Sequence, residues 1–294
     1  MTAGEHFALE QLPAVSTTAL LTLWTRGLDA RSPDPILPDP QAIAVCAQLR
    51  PQIAALRTPF YQQLAHDEIP QMLVKLLSVR SLHMDQSARD FLLRFPRSVV
   101  VNLGAGLDSR LSRLNEGSEA ANVRVIDIDL PAMIGLKRQL FAPHTRYTLL
   151  PASVLDFAWM DALDRYDDRR FLFIAEGLFM YLPQEKVREL VVRLASRFPG
   201  SELVADVFSA VWLRPPWRKW SIRKLQRQFK FERDVILESG LDSPQEMERW
   251  DARLHYLGMW SLFDSPERQM GALRWLRFIP LIRMFQYIVH YRLG

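Results

Sequence analysis

Five residues in the middle of the chain have types and positions that suit the binding of a small charged molecule. They are two glycines and three acids, each placed where a short apolar run ends: Gly104, Gly106, Asp127, Asp129 and Glu176. A short apolar run predicts a buried parallel strand, and the carboxyl ends of parallel strands meet at one edge of a sheet. We therefore expect one ligand site at that edge, with backbone amides and carboxylates as its polar groups.

The two glycines belong to the stretch 99–110, VVVNLGAGLDSR. Glycine has no side chain, so a ligand can approach the backbone closely at the end of the strand. The alternative is that a tight turn between strand and helix requires glycine for its own sake. Ser109 stands where a dinucleotide-binding fingerprint has its third glycine, which argues against NAD or FAD as the ligand.

Asp127 and Asp129 end the second predicted strand, and residues two apart on a strand point to the same face. A carboxylate at a strand tip can accept hydrogen bonds from both hydroxyls of a ribose. Asp129, at the tip, is the first candidate for this role and Asp127 the second. The alternative is that one of the two acids caps the helix that Pro131 opens.

Glu176 ends the fourth predicted strand and is followed by Gly177 and an aromatic-rich turn that reaches Tyr181. A buried carboxylate needs a cationic or hydroxylic partner, because removing an unpaired charge from water is costly. The sulfonium and ammonium groups of S-adenosylmethionine are partners of this kind. Together with the glycine turn, the acids favour a nucleoside-containing ligand.

Strands and helices alternate from residue 98 to residue 207, which predicts a doubly wound α/β sheet with right-handed crossovers. The predicted strands are residues 98–103, 123–128, 146–150, 171–175 and 202–207, with two later strands at 253–263 and 285–292. Pro131 opens a helix that extends to about Phe141, and Pro183 opens another that stops near Gly200. This sheet is the element that must bring the glycines and the acids together.

Before the first strand the sequence is helical. Residues 17–28 and 41–56 carry apolar side chains at helical spacing, and the proline-rich stretch 32–40 between them predicts a loop. Asp85 is predicted to N-cap a further helix that ends near Phe95, before Pro96. We expect four parts, namely an N-terminal helical cap (1–95), a cofactor-binding core (96–208), a helical lid insertion (209–250) and the last strands (251–294).

Four stretches of the chain resemble, in the same order, the motifs of the leucine carboxyl methyltransferase family. They are RSLHMD at 80–85, NLGAGLDSR at 102–110, IDLP at 128–131 and AEGLFMYL at 175–182. The resemblance covers residues 17–207 and continues more weakly to the C-terminus. It is closer to the bacterial branch, which includes polyketide O-methyltransferases of the tetracenomycin type. It implies a class I methyltransferase fold with a Rossmann-like sheet, and S-adenosyl-L-methionine as the cofactor.

The resemblance also implies roles for individual residues. Arg80 would bind the methionine carboxylate, which suits a guanidinium, although a lone arginine at the start of a helix is also commonly solvated. Gly104 and Gly106 would form the backbone cradle, and Asp129 would hold the ribose. Glu176 would contact the methionine end of the cofactor. The remaining cofactor-binding candidates are Ala105, Asp108 and Asp127, and the pair Ser153 and Val154, which stands where the family has an acidic and a hydrophobic residue at the adenine.

Methyl transfer from a sulfonium is an in-line displacement, so the ionisation of the acceptor decides whether a base is needed. A carboxylate with a pKa of about 4 is ionised at neutral pH, whereas a phenol with a pKa of about 10 would profit from a base or a nearby cation. The catalytic candidates are Tyr181, His83 and His255, although a lone histidine is more often a packed or surface residue. No pair of histidines has the spacing of metal ligands, so we predict no metal.

The 294-residue chain has a net charge of +4, from 37 Lys plus Arg against 33 Asp plus Glu, and the positive charge is local. Residues 212–234 have a net charge of +6 and residues 272–294 one of +4, which leaves the rest at −6. In the first stretch Trp212, Trp217 and Trp220 alternate with basic residues, a pattern also found in nucleic-acid and membrane-surface proteins. We interpret the stretch as an amphipathic lid over a pocket that takes an anionic, aromatic acceptor. We expect no nucleic-acid partner and at most peripheral membrane contact.

These features predict an O-methyltransferase that uses S-adenosyl-L-methionine to methylate a carboxylate of a small hydrophobic or polyketide-like acid. A phenolic O-methyltransferase is the alternative within the class. A nicotinamide-dependent oxidoreductase and a non-catalytic interaction protein are the alternatives from other classes. The single Cys46 and the absence of a visible signal peptide favour a cytoplasmic protein.

Overall fold

The computed structural model describes Leu9 and residues 14–115, 123–166, 169–217 and 237–294. Its strands are β1 (Val99–Leu103), β2 (Arg124–Asp129), β3 (Tyr147–Pro151), β4 (Phe171–Ala175), β5 (Glu202–Phe208), β6 (Leu254–Ser261) and β7 (Gln286–Leu293). They form one seven-stranded sheet in the order β3-β2-β1-β4-β5-β7-β6. Every predicted strand is confirmed, and its ends shift by about two residues or fewer.

The strands β1 to β5 all run in the same direction. β1 pairs in parallel with β2 and β4, β2 pairs with β3, and β4 pairs with β5. β7 lies antiparallel between β5 and β6. The carboxyl ends of β1, β2 and β4 therefore meet at one edge, and the predicted doubly wound α/β sheet is confirmed.

Helices precede the sheet and then alternate with its strands. The α-helices are α1 (Ala14–Ala30), α2 (Pro40–Ala55), α3 (Pro59–Ala65), α4 (Gln71–Arg94), α5 (Arg110–Asn115), α6 (Pro131–Leu140), α7 (Gln184–Arg197) and α8 (Pro280–Arg283). The 3₁₀ segments include Phe179–Tyr181, Ala210–Leu213, Leu262–Asp264 and Arg268–Phe278. Among the described helices, none is both long enough and apolar enough to cross a membrane.

One predicted helix start is wrong. Asp85 lies in the interior of α4, which begins at Gln71 directly after Pro70 and has no side-chain hydrogen bond at its N-cap. The Asp85 side chain is buried, with 2% of the residue exposed. A buried carboxylate in the middle of a helix requires cationic partners, and these come from a later part of the chain that the local pattern around Asp85 does not include.

Side chains on the two faces of β1 pack against different helices. Val99 and Val101 belong to the cluster that includes the apolar face of α7, whereas Val100 packs with Phe91 of α4. The sheet is thus covered on both faces, as its continuous apolar strands require. A separate cluster joins α1, α2 and α3 to Leu107, which follows the glycine turn, and this packing places the N-terminal helices beside that turn.

Candidate active site

A cavity of about 620 Å³ lies at the carboxyl edge of the sheet, beside the ends of β1, β2 and β4. The structure brings most of the predicted site residues to its wall: Arg80, Gly104, Ala105, Gly106, Asp108, Asp129, Ser153, Val154, Glu176 and Tyr181. Three predicted residues are not part of the wall, namely His83, Asp127 and His255. The edge predicted from the strand ends therefore carries a real pocket.

Both glycines of the turn after β1 adopt a left-handed backbone conformation, with φ of +62° at Gly104 and +50° at Gly106. Glycine occupies this region without the strain that a Cβ atom would cause. A Cβ on Gly104 would lie 2.7 Å from Cδ1 of Leu178, and one on Gly106 would lie 2.9 Å from Cβ of Ala19. The turn thus requires glycine for its own conformation, and it also exposes its backbone to the cavity.

Asp129 lies at the tip of β2 and links that tip to the glycine turn. Its carboxylate accepts hydrogen bonds from the backbone N–H of Gly106 at 2.6 Å and of Leu130 at 2.7 Å. Burial raises the pKa of Asp129, and these two backbone hydrogen bonds oppose the shift. No side chain caps α6, so the capping role considered for Asp127 or Asp129 is not observed. Asp129 can still accept further hydrogen bonds on the cavity side.

Asp127 has a different environment from Asp129. It is 1% exposed and accepts hydrogen bonds from Asn102 Nδ2 at 2.6 Å, Lys137 Nζ at 2.5 Å and the Tyr147 hydroxyl at 2.5 Å. These donors come from β1, α6 and β3, so Asp127 joins three elements behind the site. The structure does not bring Asp127 to the cavity, and of the two acids only Asp129 lies where a ligand can contact it.

Glu176 follows β4 and is held by three side chains. Its Oε1 accepts hydrogen bonds from Arg80 Nε at 3.1 Å and Ser81 Oγ at 2.6 Å, and its Oε2 accepts one from Arg110 Nη2 at 2.5 Å. Burial raises the pKa of the Glu176 carboxyl, but the guanidinium groups of Arg80 and Arg110 outweigh burial and leave the pKa below its ordinary value. The cationic and hydroxylic partners predicted for Glu176 are therefore present within the protein itself.

Arg80 lies on α4 and contacts two acids. Its Nε donates to Glu176, and its Nη1 donates to Asp206 Oδ2 at 3.1 Å. The residue is buried and lines the cavity, so it is not a solvated arginine. Within the described part of the chain, no hydrogen bond involves Nη2, and this nitrogen can donate to a ligand carboxylate.

Two arginines of α5 extend this network, and the sequence analysis missed them. Arg110 and Arg113 each donate to Asp85, from their Nε atoms, at 2.8 and 2.6 Å. Both also form ion pairs with Asp108, at 3.0 and 2.9 Å. Local sequence patterns carry no signal for them, because their partner Asp85 lies on α4, 25 residues or more earlier in the chain.

Ser153 and Val154, which the resemblance assigns to the adenine, follow β3 and line the cavity. Ser153 Oγ accepts a hydrogen bond from the backbone N–H of Leu155 at 3.2 Å, and the Val154 carbonyl accepts one from Trp159 Nε1 at 3.2 Å. Both residues are thereby held in place. The hydroxyl of Ser153 keeps its own proton available for donation.

The three catalytic candidates have different locations. His83 stacks on Trp260 with ring centroids 4.0 Å apart, and burial lowers its pKa to about 4, with a smaller contribution from His290. His255 lies on β6, opposite Arg292 of β7. Neither histidine is part of the cavity wall, whereas Tyr181 is, and burial raises the pKa of Tyr181 to about 12. Tyr181 is thus a protonated hydroxyl at neutral pH.

Beyond the charged residues at the ends of β1, β2 and β4, much of the cavity wall is apolar, and we call this part its apolar half. Its side chains come from α4, the 3₁₀ segment after β4, the end of β5 and the 3₁₀ segment after it, and the C-terminal part of the chain: Leu73, Leu76, Leu77, Met180, Phe208, Trp212, Leu237, Leu262, Phe263, Leu276, Ile282 and Phe285. An apolar wall of this size suits a hydrophobic or aromatic molecule. Across the described ranges, no cluster of three or more His, Cys, Asp or Glu side chains could hold a metal ion.

The predicted lid is described only in part. Trp212 lines the cavity, and Arg214 forms an exposed ion pair with Asp242 at 2.8 Å. The basic residues on which the lid interpretation depends, including Arg218, Lys219 and Arg223, lie outside the described residues, as does Trp220. The division into cap, core and lid stays a prediction.

The sheet order, the reversed β7 and the cavity at the strand ends define a protein of the class I methyltransferase fold. The crystal structure of a DUF574 family protein from Streptomyces avermitilis has this fold in common with the chain, with a TM-score of 0.57 and 16% sequence identity. The alignment covers 84% of this chain and 97% of that chain.

The family model of leucine carboxyl methyltransferases matches residues 19–195. The chain belongs to this family and is a methyltransferase, which confirms the resemblance and excludes the oxidoreductase alternative. It is 28% identical over 289 residues to the tetracenomycin polyketide synthesis O-methyltransferase TcmP of Streptomyces glaucescens, covering 96% of this chain and 97% of that protein. It is 29% identical over 201 residues to the S-adenosyl-L-methionine-dependent methyltransferase dpfgK of Gibberella zeae, covering 67% and 65%.

Proposed function

We propose that this methyltransferase uses S-adenosyl-L-methionine to methylate a carboxylate of a small, hydrophobic, polyketide-like acid. The names of two relatives support the donor and the acceptor class, because one is an S-adenosyl-L-methionine-dependent methyltransferase and the other a polyketide synthesis O-methyltransferase. The cavity supports the same assignment, since its wall combines charged groups at the strand ends with a large set of apolar side chains.

The observation that carries the choice of a carboxylate is the set of ionisable side chains in the described part of the cavity wall. Among the described lining residues there is no histidine, lysine or cysteine. Tyr181, with a pKa raised by burial to about 12, keeps its proton. Glu176 is occupied by three donors. Within the described wall a phenol would therefore meet no imidazole, amine or thiolate that could remove its proton, whereas a carboxylate is ionised before it binds.

The residues at the strand ends fit the cofactor. Nη2 of Arg80 is oriented by the bonds that its neighbours Nε and Nη1 make, and it would donate to the methionine carboxylate. Asp129 would accept from the ribose hydroxyls, beside the backbone of Gly104 and Gly106. Ser153 and Val154 would face the adenine. When bound, the cofactor supplies an electrophilic methyl group on a sulfonium centre.

The remaining task of the protein is alignment and the exclusion of water. The apolar wall would hold the hydrophobic body of the acid, so that its carboxylate faces the polar half. Tyr181 lies in the wall near Arg80 and Asp206, whose charges act on it. Its hydroxyl would donate a hydrogen bond to one carboxylate oxygen and leave the other free to attack the methyl group.

The test is to incubate the enzyme with methyl-labelled S-adenosylmethionine and a panel of aromatic acids and phenols, and then to treat each product with mild alkali. A methyl ester loses its label as methanol, whereas a methyl ether keeps it. We expect an alkali-labile product from an acid and none from the matching primary amide. An alkali-stable product from a phenol would contradict the carboxylate assignment and leave the methyltransferase assignment intact.

A further inference from the structure

We propose that Gln286 forms a binding subsite for a hydroxyl group of the acceptor, separate from the group that is methylated. The proposal rests on the proposed function for the location of the acceptor, and it adds a chemical requirement to it. The acceptor would be a hydrophobic acid that also carries a hydrogen-bond donor. Gln286 lies at the start of β7, opposite Phe208 of β5, and lines the cavity.

Gln286 is a polar side chain with several apolar neighbours in the cavity wall. Its neighbours in this part of the cavity wall are apolar, and they include Phe208, Phe285 and Ile282. The rings of Phe208 and Phe285 are in contact, with centroids 5.1 Å apart. A polar side chain among such neighbours needs hydrogen-bond partners, because an unpaired polar group in an apolar environment is costly.

One end of the Gln286 amide has its partner in Asp206. Nε2 of Gln286 donates to Asp206 Oδ2 at 2.6 Å, and Arg80 Nη1 donates to the same oxygen at 3.1 Å. The other oxygen of Asp206 accepts from the backbone N–H of Gly177 at 2.6 Å. Both oxygens of Asp206 thus act as acceptors, in an ion pair with a buried arginine.

This arrangement fixes the orientation of the Gln286 amide. A carboxylate accepts hydrogen bonds and does not donate them, so the NH₂ group of Gln286 must face Asp206. The carbonyl oxygen Oε1 is then directed away from Asp206, and no donor to it is present among the described residues. Gln286 therefore offers an acceptor to the cavity and cannot exchange it for a donor by a flip of the amide.

The location of Gln286 relative to the cofactor site follows from the shared oxygen. Gln286 and Arg80 both contact Asp206 Oδ2, so Gln286 lies next to the residue assigned to the methionine carboxylate. The subsite is thus at the boundary between the charged half and the apolar half of the cavity. A carboxylate of the acceptor would be repelled by Oε1, whereas a hydroxyl would donate to it.

This chemistry predicts discrimination between acids that differ by one hydroxyl. A site built to pair with a hydroxyl binds the analogue that lacks it less well, because its own polar atom loses a partner. We expect roughly 10-fold or greater preference for the best hydroxylated acid over the parent acid.

The test measures equilibrium binding and requires no turnover. The probes are 2-naphthoic acid and a panel of its ring-hydroxylated isomers, titrated calorimetrically into the enzyme saturated with S-adenosylhomocysteine. In Gln286→Met, which keeps the length of the side chain and removes its acceptor, the preference should fall to within about threefold, mainly through weaker binding of the hydroxylated acid. Gln86→Met, an exposed position on α4, is the matched control and should keep the preference.

Two results would overturn the proposal: equal binding of all the acids by the unaltered enzyme, or a preference that persists in Gln286→Met. Binding of S-adenosylhomocysteine and the melting temperature are measured in parallel, since a merely structural role of Gln286 would lower these as well. Failure of the proposed function has a different signature, because it would appear as an alkali-stable product in the labelling assay, whatever the binding preference.

Discussion

The variant Asp129→Asn tests whether Asp129 binds the cofactor. Asp127→Asn is its matched control, because Asp127 lies two residues away and has a structural role. In Asp129→Asn one carboxylate oxygen becomes an NH₂ group, so one of the two backbone N–H groups, of Gly106 or Leu130, faces a donor. The cofactor also loses a hydrogen bond to a charged acceptor. Such a bond contributes about 1.5–3 kcal/mol, which corresponds to a loss of affinity of roughly 10- to 150-fold.

Asp127→Asn is expected to lower the stability of the protein and to leave its affinity for the cofactor nearly unchanged. Asp127 contacts Lys137, which is fully buried, and it does not line the cavity. The substitution leaves the buried ammonium without a counter-charge, at a cost of about 3–5 kcal/mol in the free energy of unfolding. We expect a fall in melting temperature on the order of 10 °C and binding of S-adenosylhomocysteine within about threefold of the unaltered enzyme at a temperature where both are folded.

Calorimetric titration of S-adenosylhomocysteine and thermal unfolding measure the two quantities. The reasoning is refuted if Asp129→Asn binds as tightly as the unaltered enzyme, or if Asp127→Asn loses affinity without losing stability. Both variants replace an aspartate with an asparagine. A difference between them in affinity or melting temperature therefore reflects the positions of the two residues and not the type of substitution.

Three further predictions concern other parts of the molecule. Arg80→Lys should weaken the binding of S-adenosylhomocysteine roughly 10-fold or more, as measured by calorimetry. The reason is that a single ammonium group cannot contact Glu176, Asp206 and a ligand at once, as the planar guanidinium can. His83→Gln should keep kcat/KM within about threefold, since His83 stacks on Trp260 outside the cavity wall, and a large loss at unchanged melting temperature would show that it acts on the reaction. Glu202 is buried, which raises its pKa, but hydrogen bonds from His290 and Arg94 lower it to about 2, below its ordinary value of 4.5. Its contribution to stability is therefore present above pH 4.5 and is lost as the pH falls through about 2. The unaltered enzyme and Glu202→Gln should thus differ less in unfolding free energy as the pH falls over that range, and urea titrations measure this difference.

The sheet and the cofactor edge could be predicted from the sequence because both depend on local patterns. Strands buried on two faces are continuous apolar runs, and Gly104, Asp129 and Glu176, at or just after the ends of β1, β2 and β4, line the cavity. The turn after β1 could be placed for the same reason, since its two glycines adopt positive φ angles that few other residues tolerate.

The ion network and the acceptor half could not be predicted, because their members are distant in sequence. Asp85 was assigned to a helix cap from its neighbours, whereas its partners Arg110 and Arg113 lie on another helix. Gln286 lies 80 residues from Asp206, and only the pairing of β7 with β5 brings the two together. Contacts of this kind follow from the fold and leave no periodic signal in the chain.

The two halves of the cavity differ in how firmly their groups are held, and this difference bears on specificity. At the cofactor edge, Glu176 and Asp206 each have several donors within the protein, so their charges keep their positions whether or not a ligand is bound. In the apolar half, separate segments of the chain contribute side chains that are mainly apolar. A substitution among those side chains changes the shape offered to the acceptor and leaves the charged edge intact. Gln286 is the exception. The NH₂ group of its amide is bound to Asp206 at the charged edge, whereas its carbonyl oxygen would face the acceptor. A substitution at Gln286 should therefore change acceptor preference more than cofactor affinity.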